Sequence, residues 1–372
     1  METANSGALL TAEALDAGYG GKVVVGDVSF RAAPGSVIAL IGPNGSGKST
    51  ILKTIARQLA PLDGCVRIGG SELSRIKPAQ LAQQMALVLT ERPQTELLTC
   101  RDVVESGRHP YTGRFGTLSQ ADKDAVAKAM QTAHVTELAE HDFMRISDGQ
   151  RQRVMLARAI AQEPRVLILD EPTSFLDIRY QVELLRILRH LSRTKGVAII
   201  MSLHEIDLAA KAADTILCVK DNRIYAAGVP EELITRELVE DVYELEHGTF
   251  NALFGSIELG RPHGEPETFV IAGAGTGAAA FRRLVRSGQA FYAGVLHEGD
   301  VDEQLACDLA AGVITEHPFE PISDAALASA KELLAGCKRL IVCPQHFGTL
   351  NARNAELIEF AASRSIEIEQ QG

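Results

Sequence analysis

The residues with the clearest chemistry lie between positions 42 and 50, where glycines alternate with polar residues and a Lys-Ser pair follows. Glycines let the backbone curl so that several N–H groups point at one anion. A lysine in this position can reach the β- and γ-phosphates of a nucleotide, and the serine hydroxyl can ligate Mg²⁺. The pattern therefore predicts a phosphate-binding loop. Its candidate residues are Gly42, Pro43, Asn44, Gly45, Ser46, Gly47, Lys48, Ser49 and Thr50.

The sequence on either side of this loop has the form that a phosphate site requires. The apolar run Val37–Ile41 predicts a buried strand, and residues 51–57 have a helical pattern. The start of that helix would add a partial positive charge to the site. A glycine-rich turn that binds nothing is the alternative, and the complete pattern between strand and helix argues against it.

Two carboxylates follow a second apolar run, at Asp170 and Glu171. A carboxylate at the end of a buried parallel strand can hold Mg²⁺, and its neighbour can polarise an attacking water. The alternative is a helix cap, and the phosphate-binding pattern upstream favours the catalytic interpretation. His204 follows another buried strand and is either a capping residue or directed at a γ-phosphate. Tyr19, in a glycine-rich turn, is either a surface residue or a flat face for an adenine ring.

Length and composition limit the classes of protein that are possible. A chain of 372 residues predicts two domains, and its net charge of −11 argues against a nucleic-acid-binding surface. Apolar runs are too short to span a membrane, and the first seven residues have no features of a secretion signal. The six cysteines have no paired or zinc-type spacing, which is typical of reduced thiols in a cytosolic protein.

The alternation of strand and helix patterns predicts an α/β fold in two parts. The first domain is expected at residues 1–257, with a helical insertion at about 90–160 and a long amphipathic helix from Ile178 to about Lys195. A Gly/Pro-rich linker at 258–267 follows. Residues 268–372 then predict a small doubly wound, Rossmann-like α/β domain.

The second domain has its own candidate chemistry. The sequence from Gly273 to Gly277 lies between a strand and a helix, which suits an anionic ligand. His297, Glu298 and Asp300 follow the next strand and are candidates for a small-ligand or metal site, or simply a polar loop. The sequence of this domain shows no Ser/His/Asp or Cys/His arrangement typical of a catalytic nucleophile. We therefore expect a regulatory module that senses a small anionic or metal-bearing ligand. An appended enzyme is the alternative.

The order of these motifs resembles the ATPase subunit of ATP-binding cassette (ABC) transporters over roughly residues 8–257. The most specific element is Ile146-Ser-Asp-Gly-Gln150 directly before Arg-Gln-Arg, which is similar to the family's signature region. The resemblance implies a P-loop NTPase fold with a helical subdomain that binds ATP and Mg²⁺. It implies that Tyr19 stacks on adenine, Glu171 is the catalytic carboxylate and His204 is the switch histidine. It also implies a homodimer, in which these residues act across the interface: Ser147, Asp148, Gly149, Gln150 and Asp177.

Within the family, Gly107–Gly113, Leu118–Asp122 and Asp170–Asp177 look like importers of iron-siderophores, haem and cobalamin. The implied partners are transmembrane permease subunits and, indirectly, a substrate-binding protein, with the chain on the cytoplasmic face of the membrane. Nucleic acid is not among them. The alternative is a soluble ABC ATPase acting on ribosomes or DNA. That class favours two cassettes, a coiled-coil insertion or basic arms, and the sequence has none of these.

Two positions depart from the family pattern. Asp148 stands where the signature normally has glycine, and its charge would weaken phosphate binding unless it is paired or points away. Thr90 stands where the family has a glutamine that ligates Mg²⁺. Carboxylates ligate Mg²⁺ well, so we expect Glu91 to take that role, with Gln94 nearby and not needed.

Overall fold

The computed structural model describes residues 7–89, 97–113 and 116–371. The chain divides into two compact units, Met1–Leu238 and Val239–Gly372. We describe each unit by itself. No helix within the described ranges is long and apolar enough to cross a membrane.

The first unit contains most of the secondary structure. Its elements, in chain order, are β1 (Leu10–Tyr19), β2 (Lys22–Ala32), β3 (Val37–Ile41), α1 (Lys48–Ile55), β4 (Asp63–Ile68), β5 (Ser71–Glu72), α2 (Pro78–Ala82), β6 (Met85–Val88), α3 (Cys100–Glu105), α4 (Gln120–Thr132), α5 (Asp148–Ala161), β7 (Val166–Leu169), α6 (Ile178–Lys195), β8 (Ala198–Ser202), α7 (Ile206–Ala212), β9 (Thr215–Lys220), β10 (Arg223–Gly228) and α8 (Pro230–Leu233). A further helix, α9 (Arg236–Tyr243), runs across the division between the units.

Two sheets build the first unit. Strands β2, β1, β4 and β5 form an antiparallel sheet. The second sheet has the order β10-β9-β3-β8-β7-β6 and is parallel except for the β9–β10 hairpin. Its central strands β3, β7 and β8 are buried along their whole length, as expected for a parallel sheet covered on both faces. Their carboxyl ends meet at one edge, which brings together the loops that begin at Gly42, Asp170 and Leu203.

The helical part of the first unit is held by a buried ion pair. Arg108 Nε lies 2.9 Å from Asp122 Oδ1, and both side chains are less than a tenth exposed. Arg108 Nη1 also donates to Ala161 O at 2.8 Å and to Glu163 Oε2 at 2.9 Å. These contacts join the segment after α3 to the start of α4 and the end of α5. The predicted helical insertion therefore has a fixed internal geometry.

The second unit is built around a five-stranded parallel sheet, which confirms the predicted Rossmann-like fold. The strand order is β15-β14-β13-β16-β17, and apolar clusters cover both faces. The elements are β11 (Gly248–Asn251), β12 (Ser256–Leu259), β13 (Thr268–Ile271), α10 (Ala278–Arg286), β14 (Phe291–His297), α11 (Val301–Leu309), β15 (Gly312–Glu316), α12 (Asp324–Ala335), β16 (Arg339–Val342), α13 (Asn354–Ser363) and β17 (Glu367–Gln370).

The division between the units comes earlier than the expected boundary at residues 257 and 258. The reason is the β11–β12 hairpin, whose polar side chains bond within the second unit. Asn251 Nδ2 donates to Asp308 Oδ2 at 2.7 Å, and Arg282 pairs with the nearly buried Glu258. The stretch expected to end the first domain and begin a linker thus belongs to the second unit.

Candidate nucleotide site

Two glycines of the phosphate loop are required by close backbone packing. Gly42 has a φ of 143°, and a Cβ there would lie 2.1 Å from Val219 O. Gly47 has a φ of 100°, and a Cβ there would lie 2.1 Å from Val25 Cγ2. No other residue fits either position without displacing its neighbours. The loop therefore runs tightly from the end of β3 into the start of α1.

Lys48 and Ser46 have the features expected of groups that meet an anion. Lys48 Nζ donates to Gly42 O at 2.8 Å and to Pro43 O at 2.9 Å, so the side chain folds back over the loop. Burial lowers the pKa of Lys48, and the nearby charges of Glu171 and Asp170 oppose that change. Ser46 Oγ is buried and makes no hydrogen bond to any described residue. A phosphate oxygen would satisfy this hydroxyl, so the residues present fit a nucleotide phosphate.

Asp170 connects the ends of β7 and β8 with the start of α1. Its Oδ1 accepts hydrogen bonds from Ser49 Oγ at 3.0 Å and from Ser202 Oγ at 2.7 Å. Ser202 Oγ in turn accepts from Glu171 N at 2.8 Å. Hydroxyl and carboxylate oxygens are the ligands that Mg²⁺ prefers, so Ser49 and Asp170 fit that ion. The sequence analysis did not predict a role for Ser202. A single hydroxyl residue at the end of an otherwise apolar strand could have indicated a polar contact at this edge of the sheet.

Glu171 and His204 form the most direct contact between predicted catalytic residues. His204 Nε2 lies 2.6 Å from Glu171 Oε1, and both side chains are partly exposed. Ser174 Oγ donates to Glu171 Oε2 at 3.3 Å. Glu171 has a left-handed φ of 47°, a conformation that costs about 1–3 kcal/mol and is concentrated at functional sites. The carboxylate is therefore held in one position at the mouth of the site.

The signature residues form the start of α5. Ser147 Oγ accepts from Gln150 N at 3.3 Å, while Ser147 N donates to Gln150 Oε1 at 2.9 Å. This capping box fixes the first turn. Asp148 pairs with Arg151 at 3.0 Å. This ion pair meets one of the two conditions under which the negative charge of Asp148 would not weaken phosphate binding. A Cβ at Gly149 would lie 3.3 Å from the side chain of Leu176, so the signature turn lies beside the loop that precedes α6.

For the remaining predicted residues, the structure does not distinguish a functional role from an ordinary structural one. Asp177 caps α6, and its Oδ1 accepts from Tyr180 N at 3.0 Å. Tyr19 ends β1 opposite Lys22 and is 49% exposed, which suits both a surface residue and a stacking face. Thr90, Glu91 and the nearby Gln94 lie outside the described residues.

The glycine-rich turn of the second unit does not leave its N–H groups to a ligand. Gly273 N and Gly277 N donate to Asp302 Oδ2 at 2.8 and 2.9 Å, and Ala274 N donates to Asp300 Oδ2 at 2.9 Å. Asp302 is fully buried, and this burial raises its pKa. Two carboxylates of the chain thus occupy the anion position. The expectation that this turn binds an anionic ligand is not supported, because both negative charge and bonding geometry oppose it.

The polar residues after β14 do not form a joint site. His297 Nε2 contacts Glu320 O at 2.8 Å, whereas Glu298 lies 3.6 Å from His317 and Asp300 contacts the glycine turn. Within the described part of the chain, no group of three or more His, Cys, Asp or Glu residues could hold a metal ion. The structure therefore gives no support to a metal site in this loop.

Comparisons with known proteins agree with this geometry. Residues 25–174 match the family described as ABC transporter, and residues 291–370 match the MJ0874 family. An uncharacterised ABC transporter ATP-binding protein of Methanocaldococcus jannaschii, MJ0873, is 44% identical over 280 residues, which is 75% of this chain and 97% of that protein. A cobalamin import ATP-binding protein of Halobacterium salinarum is 32% identical over 337 residues, covering 89% of this chain and 84% of that protein.

A solved structure shares the fold. The dimeric structure of MJ0796, a bacterial ABC transporter cassette, aligns with a TM-score of 0.54 at 24% identity, over 59% of this chain and 98% of that one. The family is established by the two sequence relatives, and the phosphate loop, the paired carboxylates and the signature turn agree with it. The chain belongs to the ABC transporter family, as an ATP-binding and ATP-hydrolysing subunit with an additional C-terminal α/β unit.

Proposed function

We propose that this protein powers the import of a metal chelate through a membrane permease, with cobalamin as the favoured cargo. The observation that carries the proposal is the length of the match to the cobalamin import protein, 337 residues or 89% of this chain. A match of that length extends beyond the first unit into the second. Iron-siderophores and haem are the alternative cargoes, because the motif at Gly107–Gly113 resembles importers of all three.

Each residue of the site has a role that follows from its position. Backbone N–H groups of the phosphate loop, which all its residues except Pro43 possess, and the Lys48 side chain bind and orient the phosphates of ATP. Ser49 and Asp170 would hold Mg²⁺, which would neutralise phosphate charge. Glu171 would polarise the attacking water and accept its proton, and His204 beside it would contact the γ-phosphate. Tyr19 provides the face on which adenine stacks.

A homodimer is part of the proposal. Ser147, Asp148, Gly149 and Gln150 lie at a helix N-terminus, where N–H groups favour the phosphates of a nucleotide bound to the other copy. Asp177 lies in the loop that would cross the interface. Beside it, Phe175 and Ile178 are 68% and 80% exposed, an apolar surface that a second copy would cover.

Transport follows from the difference between the open and closed dimers. ATP held between two copies stabilises the closed form, and hydrolysis removes that stabilisation. The dimer would act on permease subunits from the cytoplasmic face of the membrane and would affect a substrate-binding protein only through them. A soluble ABC ATPase is the alternative function. The net charge of −11 argues against its action on nucleic acid.

The second unit is proposed to be a regulatory ligand-binding module. A cavity of about 490 Å³ is lined by residues that follow β13 and β16, including Gly273, Thr276, Gln345 and His346. Strands β13 and β16 are adjacent, and the strand that follows each in the chain, β14 or β17, lies toward the opposite edge of the sheet. Open α/β sheets bind ligands at the point where the strand order reverses in this way. Because the turn N–H groups are already bonded, the ligand would be held by hydroxyl, amide and imidazole side chains. A small polar molecule fits better than the anion expected from sequence.

An appended enzyme is the alternative for this unit. Cys343 is the thiol lining the cavity, and burial raises its pKa to about 12. A thiol with that pKa is protonated at neutral pH and is a poor nucleophile. Binding is therefore favoured over catalysis.

The cargo is tested by uptake in cells. Deletion of the gene should abolish uptake of labelled cobalamin, and wild-type protein should restore it while the Lys48→Ala variant should not, because that variant lacks the phosphate-binding cation. Parallel uptake of a ferric siderophore and of haem provides the controls. If deletion abolishes uptake of the ferric siderophore or of haem and leaves cobalamin uptake intact, the compound whose uptake is lost is the cargo. Unchanged uptake of all three would favour the soluble ATPase.

Glu171→Gln should bind ATP normally and accumulate as a closed homodimer, because the group that polarises water is lost while the phosphate contacts remain. We expect hydrolysis to fall by about 10²-fold or more, from the range typical of general base removal. Size-exclusion chromatography with ATP measures the dimer, and Lys48→Ala, which should lose nucleotide affinity, is the control. Wild-type turnover in Glu171→Gln would contradict the catalytic assignment.

Glu91 is proposed to ligate Mg²⁺ in place of the family's glutamine. Glu91→Ala should then raise the Mg²⁺ concentration needed for half-maximal ATPase activity, because a hard oxygen ligand is removed. Gln94→Ala is the matched control and should leave the titration unchanged. Superimposable Mg²⁺ titrations for wild type and Glu91→Ala would refute this role.

Truncation tests the regulatory module. A chain ending at Thr235, before α9, should still hydrolyse ATP, because every predicted residue of the nucleotide site precedes that point. The isolated second unit should fold, since it has its own apolar core and the size of an independent domain. A thermal-shift screen of metabolites should find one that stabilises this unit. A truncated chain that neither binds nor hydrolyses ATP would mean that the second unit is structural.

A further inference from the structure

The last residue of β8 and the segment that follows it contact the catalytic segment, residues 170–177, at three points. Ser202 bonds both Asp170 and the backbone of Glu171, and His204 contacts the Glu171 carboxylate. The third contact is made by Glu205, which no sequence motif singled out. It reaches a different part of the catalytic segment from the other two.

Glu205 binds the middle of the segment between the two carboxylates and α6. Its Oε2 accepts from Thr173 Oγ1 at 3.0 Å, and its Oε1 accepts from Gln181 Nε2 at 3.4 Å. Gln181 Nε2 also donates to Thr173 O at 3.4 Å, which closes a three-residue network. Thr173 is 1% exposed and lies between Glu171 and Asp177 in the sequence. One carboxylate thus joins the histidine segment both to the middle of this loop and to the first turn of α6.

The side chain of Glu205 is not occupied by a role in its own helix. It stands at the N-cap of α7, where a Ser, Thr, Asp or Asn side chain commonly accepts from the N–H groups of the first turn, yet the Glu205 side chain makes no such bond. The carboxylate extends to Thr173 and Gln181 instead. The contact with the catalytic loop is therefore not a by-product of helix capping.

We propose that Glu205 is a positioning residue for ATP hydrolysis. It holds the loop 171–177 against the segment that carries His204, so that the water-polarising carboxylate and the partner-facing Asp177 keep one relative geometry. Reaction rates are sensitive to displacements of about 1 Å, whereas nucleotide affinity depends on the separate phosphate loop. This inference rests on the roles proposed for Glu171, His204 and Asp177.

The test separates turnover from binding. Glu205→Ala should lower kcat for ATP by about 10-fold or more and change the KM by less than about 2-fold. Glu205→Gln should recover most of the activity, because its amide oxygen still accepts from Thr173. Thr173→Val removes the donor with little change in shape and should show the same loss. The double variant, Glu205→Ala with Thr173→Val, should be no worse than Glu205→Ala, since that single variant already removes the bond to Thr173.

Asp207→Ala is the matched control, because Asp207 lies in the first turn of the helix that Glu205 precedes and forms an exposed ion pair with Lys211 at 3.1 Å. It should have wild-type kcat. Wild-type kcat in Glu205→Ala would overturn the proposal. So would a parallel fall of kcat, ATP affinity and Tm without rescue by glutamine, which would show a purely structural role. An active Glu171→Gln would instead mean that the catalytic assignment fails, whatever Glu205 does.

Discussion

The hydrogen bonds to Asp170 are the interaction on which the nucleotide site depends. One carboxylate oxygen accepts from Ser49 at the start of α1 and from Ser202 at the end of β8. The carboxyl ends of β7 and β8 and the start of α1 are thereby tied through a single carboxylate oxygen. The arrangement is possible because parallel strands end at the same edge of the sheet, so that short polar side chains after each strand are within reach of one another. Ser202 extends the connection to the backbone of Glu171.

Charge and burial oppose each other in this site. Burial lowers the pKa of Lys48, while the carboxylates of Asp170 and Glu171 favour its charged form. A cation that is partly desolvated interacts more strongly with a phosphate than one in bulk water. The unbonded Ser46 hydroxyl and the strained backbone of Glu171 are costs to folding that a bound nucleotide can offset. The site is therefore organised for a ligand before one arrives.

The second unit shows how similar local sequence can lead to a different outcome. Both units have a glycine-rich turn between a parallel strand and a helix. In the first unit the turn surrounds Lys48, whereas in the second it surrounds the carboxylates of Asp302 and Asp300. A carboxylate bonded to the turn satisfies the same N–H groups that a phosphate would. The second turn is thus stabilised internally, and the cavity beside it offers side chains in place of backbone donors.

Sequence alone determined the elements whose signals are local. The phosphate loop, the helix Ile178–Lys195 and the Rossmann-like second unit follow from glycine spacing, helical periodicity and the alternation of strands with helices. The position of Glu171 and His204 after buried strands, together with the resemblance, predicts a catalytic role for both, and the fold places their side chains 2.6 Å apart.

Contacts between distant residues were decided only by the tertiary structure. The position of the β11–β12 hairpin depends on Asn251 and Glu258 finding partners some distance along the chain. The occupation of the second glycine turn depends on Asp302, which lies beyond the next strand. Ser202 and Glu205 belong to no motif, and their importance appears only when β7 and β8 are neighbours. Local propensity determines whether a segment forms a helix, a strand or a turn. The partners of a buried polar group depend instead on the strand order of the sheet, which decides which strand ends are neighbours.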